Sequence, residues 1–97
     1  MNNNSGQTEW VWVFIIDPGA NEQILGQHDE KQDISYIPVF GSKEIALQCY
    51  NLLTKKADKK YEATAIMLED LAEQARAGKF MLCFLDGEGK IMETRKP

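Results

Sequence analysis

The stretch ISYIPVFGSKEIALQCYNLL, Ile34 to Leu53, decides how the chain is read, because it joins a strand directly to a helix. Ile34, Tyr36, Ile37, Val39 and Phe40 are β-branched or aromatic, the types that suit a pleated, half-buried surface. Pro38 brings no N–H, so this is either an edge strand or one whose missing donor would have faced outward. Gly41 lets the chain bend, and the Ser42 hydroxyl is placed to accept from the first-turn N–H groups of a helix. Glu44 suits the positive end of the helix dipole. Ile45, Ala46, Cys49, Leu52 and Leu53 then recur with the helical period and form one apolar stripe.

Working back from this stretch, Glu9 to Asp17 reads EWVWVFIID and is apolar at almost every position. That pattern predicts a central strand buried on both faces. Val11, Val13 and Ile15 point one way, and Trp10, Trp12, Phe14 and Ile16 the other. Asp17-Pro18-Gly19 closes the strand as a turn. Ile24 and Leu25 suggest a short strand pairing back on the first, followed by GQHDEKQD as a loop. Residues 1–8, MNNNSGQT, are polar and turn-forming and are expected to be a disordered tail.

Working forward, Tyr61 to Met67 alternates as a strand, with Ala63 and Ala65 small enough to admit a helix closely. A second helix is expected over Leu68 to Ala77, its stripe made by Leu68, Leu71, Ala72 and Ala75. Glu69 and Asp70 lie in its first turn, and Gly78 is placed as a left-handed cap. Lys79 to Asp86 (KFMLCFLD) reads as a second central strand. Gly87-Glu88-Gly89 then turns tightly into a closing hairpin strand, Lys90 to Thr94.

The expected fold is a single α+β domain over residues 9–97. It is a two-layer sandwich of two helices on a mixed sheet of about five strands, in ββ-βαβαββ order. Two successive right-handed βαβ crossovers form its middle.

Composition bounds the function. The 97 residues carry 11 basic and 15 acidic side chains, a net charge of −4, which argues against a nucleic-acid partner. The longest apolar run, Trp10 to Ile16, is far short of the ~20 residues that span a bilayer. The first residues lack the charged and apolar regions of a signal peptide. Two cysteines without a CxxC spacing suggest buried thiols in a reducing compartment, so the expected location is the cytoplasm.

The search for chemistry returns structural readings. His28 is the only histidine and lies beside Asp29 and Glu30, but those acids lack the spacing of a calcium loop. Cys49 lies on a helix stripe and Cys83 in a central strand, with no histidine placed to activate either. Gly87-Glu88-Gly89-Lys90 leads into a strand, so no helix N-terminus would face a phosphate. The lysines of KKADKK, Lys55 to Lys60, read as a solvated helix end. No catalytic, metal or cofactor residues are assigned.

The aromatic face of the first strand is the exception. Trp10, Trp12 and Phe14 together carry ~500 Å² or more, and such a face is not left in water. If the strands step in one direction, right-handed crossovers put both helices on one side and a second molecule must cover the other, most simply in a homodimer. If the path reverses, one helix lands on each side and a monomer suffices. Trp10, Trp12 and Phe14 are therefore the candidate binding residues.

The segments VWVFIIDPGANEQIL, IPVFGSKEIALQCYNLL and YEATAIMLEDLAEQARAGKF together resemble a family of small uncharacterised domains of cyanobacteria and chloroplasts. In that family Phe14, Gly19 and Ile24 have counterparts. The PVF-x-S-x-E element, Pro38 to Glu44, is also similar to the start of the SseB N-terminal-like domain. The resemblance covers roughly Trp10 to Gly89 and implies the same order of elements, with no catalytic signature. The expected function is that of a protein-binding or regulatory module, self-associating through an apolar sheet face. The alternative is a small-molecule-binding domain or small enzyme with a pocket over the aromatic face.

Overall fold

The computed structural model describes residues 9–97, so the expected tail at residues 1–8 lies outside the described residues. Its elements are β1 (Trp10–Ile16), β2 (Gln23–Ile24), β3 (Gln27–Asp29), β4 (Ile34–Val39), α1 (Lys43–Cys49), a 3-10 turn (Tyr50–Leu52), β5 (Tyr61–Met67), α2 (Leu68–Gly78), β6 (Met81–Leu85) and β7 (Ile91–Arg95). The α+β class and the single domain stand. The strands form two sheets, ordered β2-β1-β5 and β3-β4-β6-β7.

Among the described residues one bridge joins the sheets: Trp12 and Phe40 exchange both backbone hydrogen bonds at 2.9 Å. Pro38 explains why there is only one. Phe40 turns its N–H toward β1, so Pro38, two residues earlier, faces the same way. β3 pairs with β4 only as far as Tyr36. Pro38 thus sits in the gap between Tyr36 and Phe40, where no partner strand needs its missing donor. β4 is an interior strand, and the second of the two readings of Pro38 holds.

The crossovers differ from the expected pair of adjacent βαβ units. β5 and Phe40 both pair antiparallel to β1, and β4 runs parallel to β6, so β4, β5 and β6 share one direction. The chain passes from β4 over β1 to β5 by way of α1. It returns over β1 and β4 to β6 by way of α2. The path reverses, so two right-handed crossovers place the helices on opposite sides. The arrangement is helix, sheet, helix rather than two layers.

The core divides accordingly. Phe14, Phe40 and Cys83 pack with Ala46 and Cys49 of α1. Val11, Val13, Val39 and Leu82 pack with Leu71 and Ala75 of α2. Alternating side chains of β1 serve both clusters, which is why that strand reads as apolar at almost every position.

Local signals explain most element ends. The Ser42 hydroxyl accepts from Ile45 N at 3.2 Å and starts α1. At Tyr50 the helix tightens into the 3-10 turn, which buries Leu53 and leaves Leu52 62% exposed, so Leu52 is off the expected stripe. α2 runs through Gly78, and the left-handed residue is Lys79 (φ 62°), not Gly78. The Lys79 N–H closes on the carbonyls of Ala75 and Arg76. The segment GQHDEKQD is a hairpin rather than a loop: β3 pairs with Ile34–Tyr36 although its Gln-His-Asp carries no β-forming side chain. At the last hairpin Asp86 Oδ1 accepts from Glu88 N and Lys90 N, both at 2.9 Å, and Gly89 takes φ 83°. No helix among the described residues is long and apolar enough to cross a membrane.

Candidate functional site

The three aromatic residues of β1 do not form one surface. Phe14 is 2% exposed, in edge-to-face contact with Phe40 at 5.8 Å between centroids. Trp12 is half-buried against the α1 cluster. Trp10 is 58% exposed at the start of the strand. α1 covers this face and α2 the other, so the premise that the sheet needs a second molecule to cover it does not hold. Of the three expected binding residues, Phe14 is a core side chain.

The aromatic run continues beyond β1. Phe14 meets Tyr50 at 5.3 Å, and Tyr50 meets Tyr61 at 6.4 Å. Tyr61 and Ile16, at the end of β1, open into a groove of about 1010 Å³. Leu25, Tyr36 and Phe80 complete its apolar floor.

Two glycines shape that floor. A Cβ at Gly26 would lie 2.7 Å from Phe80 Cε1, and one at Gly78 would lie 2.8 Å from Cδ2 and Cε2. The ring of Phe80 is therefore held by its opposite edges between two bare backbones. Gly78 is required by this close approach, not by a positive φ.

The walls come from segments far apart in sequence, β3 with its turn and the loop after the 3-10 turn. The Gln27 side chain locks them together: Nε2 donates to Thr54 O at 2.9 Å, and Oε1 accepts from Thr54 N at 2.8 Å. The Tyr61 hydroxyl accepts from Lys56 N at 2.8 Å and holds the same loop from below.

Four lysines, Lys31, Lys55, Lys56 and Lys59, line the groove against two acids, Asp29 and Glu30. This local positive excess stands out in a chain of net charge −4. Part of it is committed to structure. Lys55 Nζ donates to Tyr50 O at 2.6 Å and Leu53 O at 3.2 Å, and lies 4.2 Å over the Tyr50 ring. Lys59 pairs with Asp17 at 3.2 Å. Asp29 Oδ1 is occupied by Lys31 N at 2.9 Å and Gln32 N at 3.4 Å. Among the described residues the ammonium groups of Lys31 and Lys56 have no such partner.

Burial perturbs the titration of Tyr36 in the groove. Desolvation, with the nearby Cys83, Asp29 and Cys49, raises its phenol above the ordinary value, so it stays an O–H donor at neutral pH. No hydrogen bond from that hydroxyl is made among the described residues. His28 is tied to Ser35 Oγ through Nδ1 and to Asp33 through Nε2, both at 3.2 Å. Cys49 and Cys83 are free and fully buried, and burial pushes both thiols up. Among the described residues no three His, Cys, Asp or Glu side chains gather to hold a metal ion.

Sequence reading missed the groove because its parts look ordinary in isolation. Lys55–Lys60 resembles a solvated helix end, and Asp29–Lys31 a surface turn. Tyr36 and Tyr61 read only as strand residues. The separate glycines at 26 and 78 were the available signal, since each marks a close backbone approach. Comparison of the chain with family models, with curated proteins and with solved structures gives no match.

Proposed function

We propose that the protein is a cytoplasmic, non-catalytic binding module, and that its groove takes a small molecule with an aromatic or apolar body and an anionic group. The observation that carries this reading is the meeting of an aromatic floor with uncommitted lysines in one groove. Sites of this kind combine apolar walls with a few convergent polar groups. The floor of Tyr36, Tyr61 and Phe80 offers ring faces and edges for stacking. Lys31 and Lys56 supply charge at the rim, and the Tyr36 hydroxyl supplies a neutral donor below it. The groove lies beyond the end of β1, lined by Ile16 and not by Trp10, Trp12 or Phe14, so it is a different site from the pocket expected over that face. The resemblance to the small domains of cyanobacteria and chloroplasts, or to the SseB N-terminal-like domain, brings no catalytic side chain and is compatible with binding.

The test is a titration of ¹⁵N-labelled protein with a panel of aromatic sulfonates and carboxylates, and with their cationic analogues as controls. The reading requires shift changes confined to residues 16, 25–31, 36, 54–61 and 80, for the anions only. Lys56→Glu should remove them while the rest of the spectrum is kept. Equal response to cations, or shifts spread over the surface, would overturn it.

A second reading, protein binding by self-association, is favoured by a different observation, the outer edge of β5, to which no strand pairs among the described residues.

A further inference from the structure

We propose that two copies of this chain associate edge to edge through β5, antiparallel about a twofold axis at Thr64. The inference is independent of the groove.

β5 pairs with β1 along its whole length, and the phase of the pairing is fixed at both ends. Asp17 N donates to Lys60 O and Leu68 N to Glu9 O, each at 2.8 Å. In an antiparallel ladder the bonded pairs recur at every second residue. Glu62, Thr64 and Ile66 therefore turn their backbone groups to β1. Tyr61, Ala63 and Ala65 turn both N–H and C=O outward, and Met67 its N–H. Among the described residues no strand or side chain bonds to these outward groups.

The other sheet edges are guarded. β2 has two residues and β3 three. β7 is broken by a register shift and carries the Glu93–Arg95 ion pair, with Nε to Oε2 at 2.6 Å. Short strands, irregular pairing and charges are the usual ways of blocking strand addition. β5 has seven residues, no proline and Glu62 as its only charge.

Self-pairing fits the sequence of β5. With Thr64 on the axis, all of Tyr61–Met67 overlaps its copy. Ala63 pairs with Ala65 of the second copy, and the Tyr61 carbonyl accepts from its Met67, giving about six ladder bonds. Thr64 faces Thr64, a favourable cross-strand pair, and Glu62 faces Ile66. Lys60 comes opposite Leu68 of the second copy, beside Glu69 and Asp70 in the first turn of its α2. All three are exposed, and symmetry repeats the charge match. Moving the axis to Glu62 would set that carboxylate against itself, and moving it toward Met67 shortens the overlap.

The test is the mass of the full chain by analytical ultracentrifugation from micromolar to millimolar concentration, with amide exchange of Ala63 and Ala65. The expected result is twice 11.0 kDa, with the two amides protected more strongly as concentration rises. Ala65→Pro removes only an outward N–H and should weaken the dimer at least about tenfold while leaving the β1 ladder intact. Thr64→Lys and Thr64→Glu should each be monomeric alone and form a heterodimer when mixed. A monomer at every concentration would overturn the proposal, whether the two amides exchange freely or are protected within one chain. So would a dimer indifferent to both Thr64 charges.

Discussion

Gln27 pairs with Thr54 as a neighbouring strand would, through its side chain: the amide donates to Thr54 O at 2.9 Å and accepts from Thr54 N at 2.8 Å. An amide can satisfy both backbone groups at once, whereas a carboxylate cannot. Gln27→Glu turns a donor into an acceptor facing a carbonyl, so it should cost more than Gln27→Ala. Because the bonds are partly solvated, Gln27→Ala should cost about 0.5–1.5 kcal/mol. Amide exchange should speed up over residues 54–60 in both variants. A Gln27→Glu protein as stable as the parent would show that the lock contributes nothing.

Gly78 gives a sign test. In an exposed helix, glycine to alanine normally stabilises by about 0.5–1 kcal/mol. Here the added methyl would meet the Phe80 ring at 2.8 Å, and that ring is backed on its other edge by Gly26. Gly78→Ala should therefore destabilise, by about 1–3 kcal/mol for overpacking. In a Phe80→Ala background the same change should become neutral or stabilising. Denaturant melts of the four proteins complete the cycle. A stabilised single variant would mean that Phe80 moves aside freely.

Most of the fold is legible in the residues, and the exceptions have physical causes. The strand at Tyr61–Met67, the cap at Ser42 and, Leu52 apart, the buried stripes of both helices follow from local chemistry, which sequence carries directly. β3 does not, because Gln-His-Asp pairs through its backbone alone and leaves no side-chain signature. The split of the sheet at Pro38 shows only as two open readings until Phe40 is seen bonded to Trp12. The groove is least legible, since it forms between residues 25–31 and 54–61, which tertiary folding alone brings together. Trp10, Trp12 and Phe14 alternate onto one side of β1 as the strand period requires, but how far each is covered, from Phe14 at 2% to Trp10 at 58% exposed, depends on the reversal of the crossover path, which is a property of topology.

Acid should weaken the β1–β5 end of the sheet through Asp17. Its carboxylate lies below the ordinary range, first because it accepts from Lys60 N at 3.2 Å and then because Lys59 donates to it. A depressed folded-state value adds stability above the unfolded value, near ~4, and loses it as the pH falls through the folded value. Asn can still accept from Lys60 N and tolerates the positive φ of 54° at this position, but it cannot pair with Lys59 as a charge. The midpoint difference between the parent and Asp17→Asn in denaturant should be largest near neutrality and shrink below pH ~4. A difference that does not change with pH would assign the effect to geometry instead.

The last prediction separates two tryptophans that the sequence places on one face. Trp12 bonds to Phe40 through its backbone, and its ring is packed against the α1 cluster. Trp10 stands 58% exposed opposite Met67 in the ladder. A carboxylate at position 12 would be half-buried and would empty the volume of an aromatic ring. Trp12→Glu should cost about 3–5 kcal/mol, and the chain should unfold before its mass changes. Trp10→Glu exchanges a mostly solvated ring and should cost under about 1 kcal/mol. Urea melts followed at constant protein concentration give both numbers, and sedimentation gives the mass. If Trp12→Glu instead stays folded and alters only the association state, the aromatic face of β1 is the interface and β5 is not. If both variants cost the same, α1 does not seal Trp12 as its packing implies.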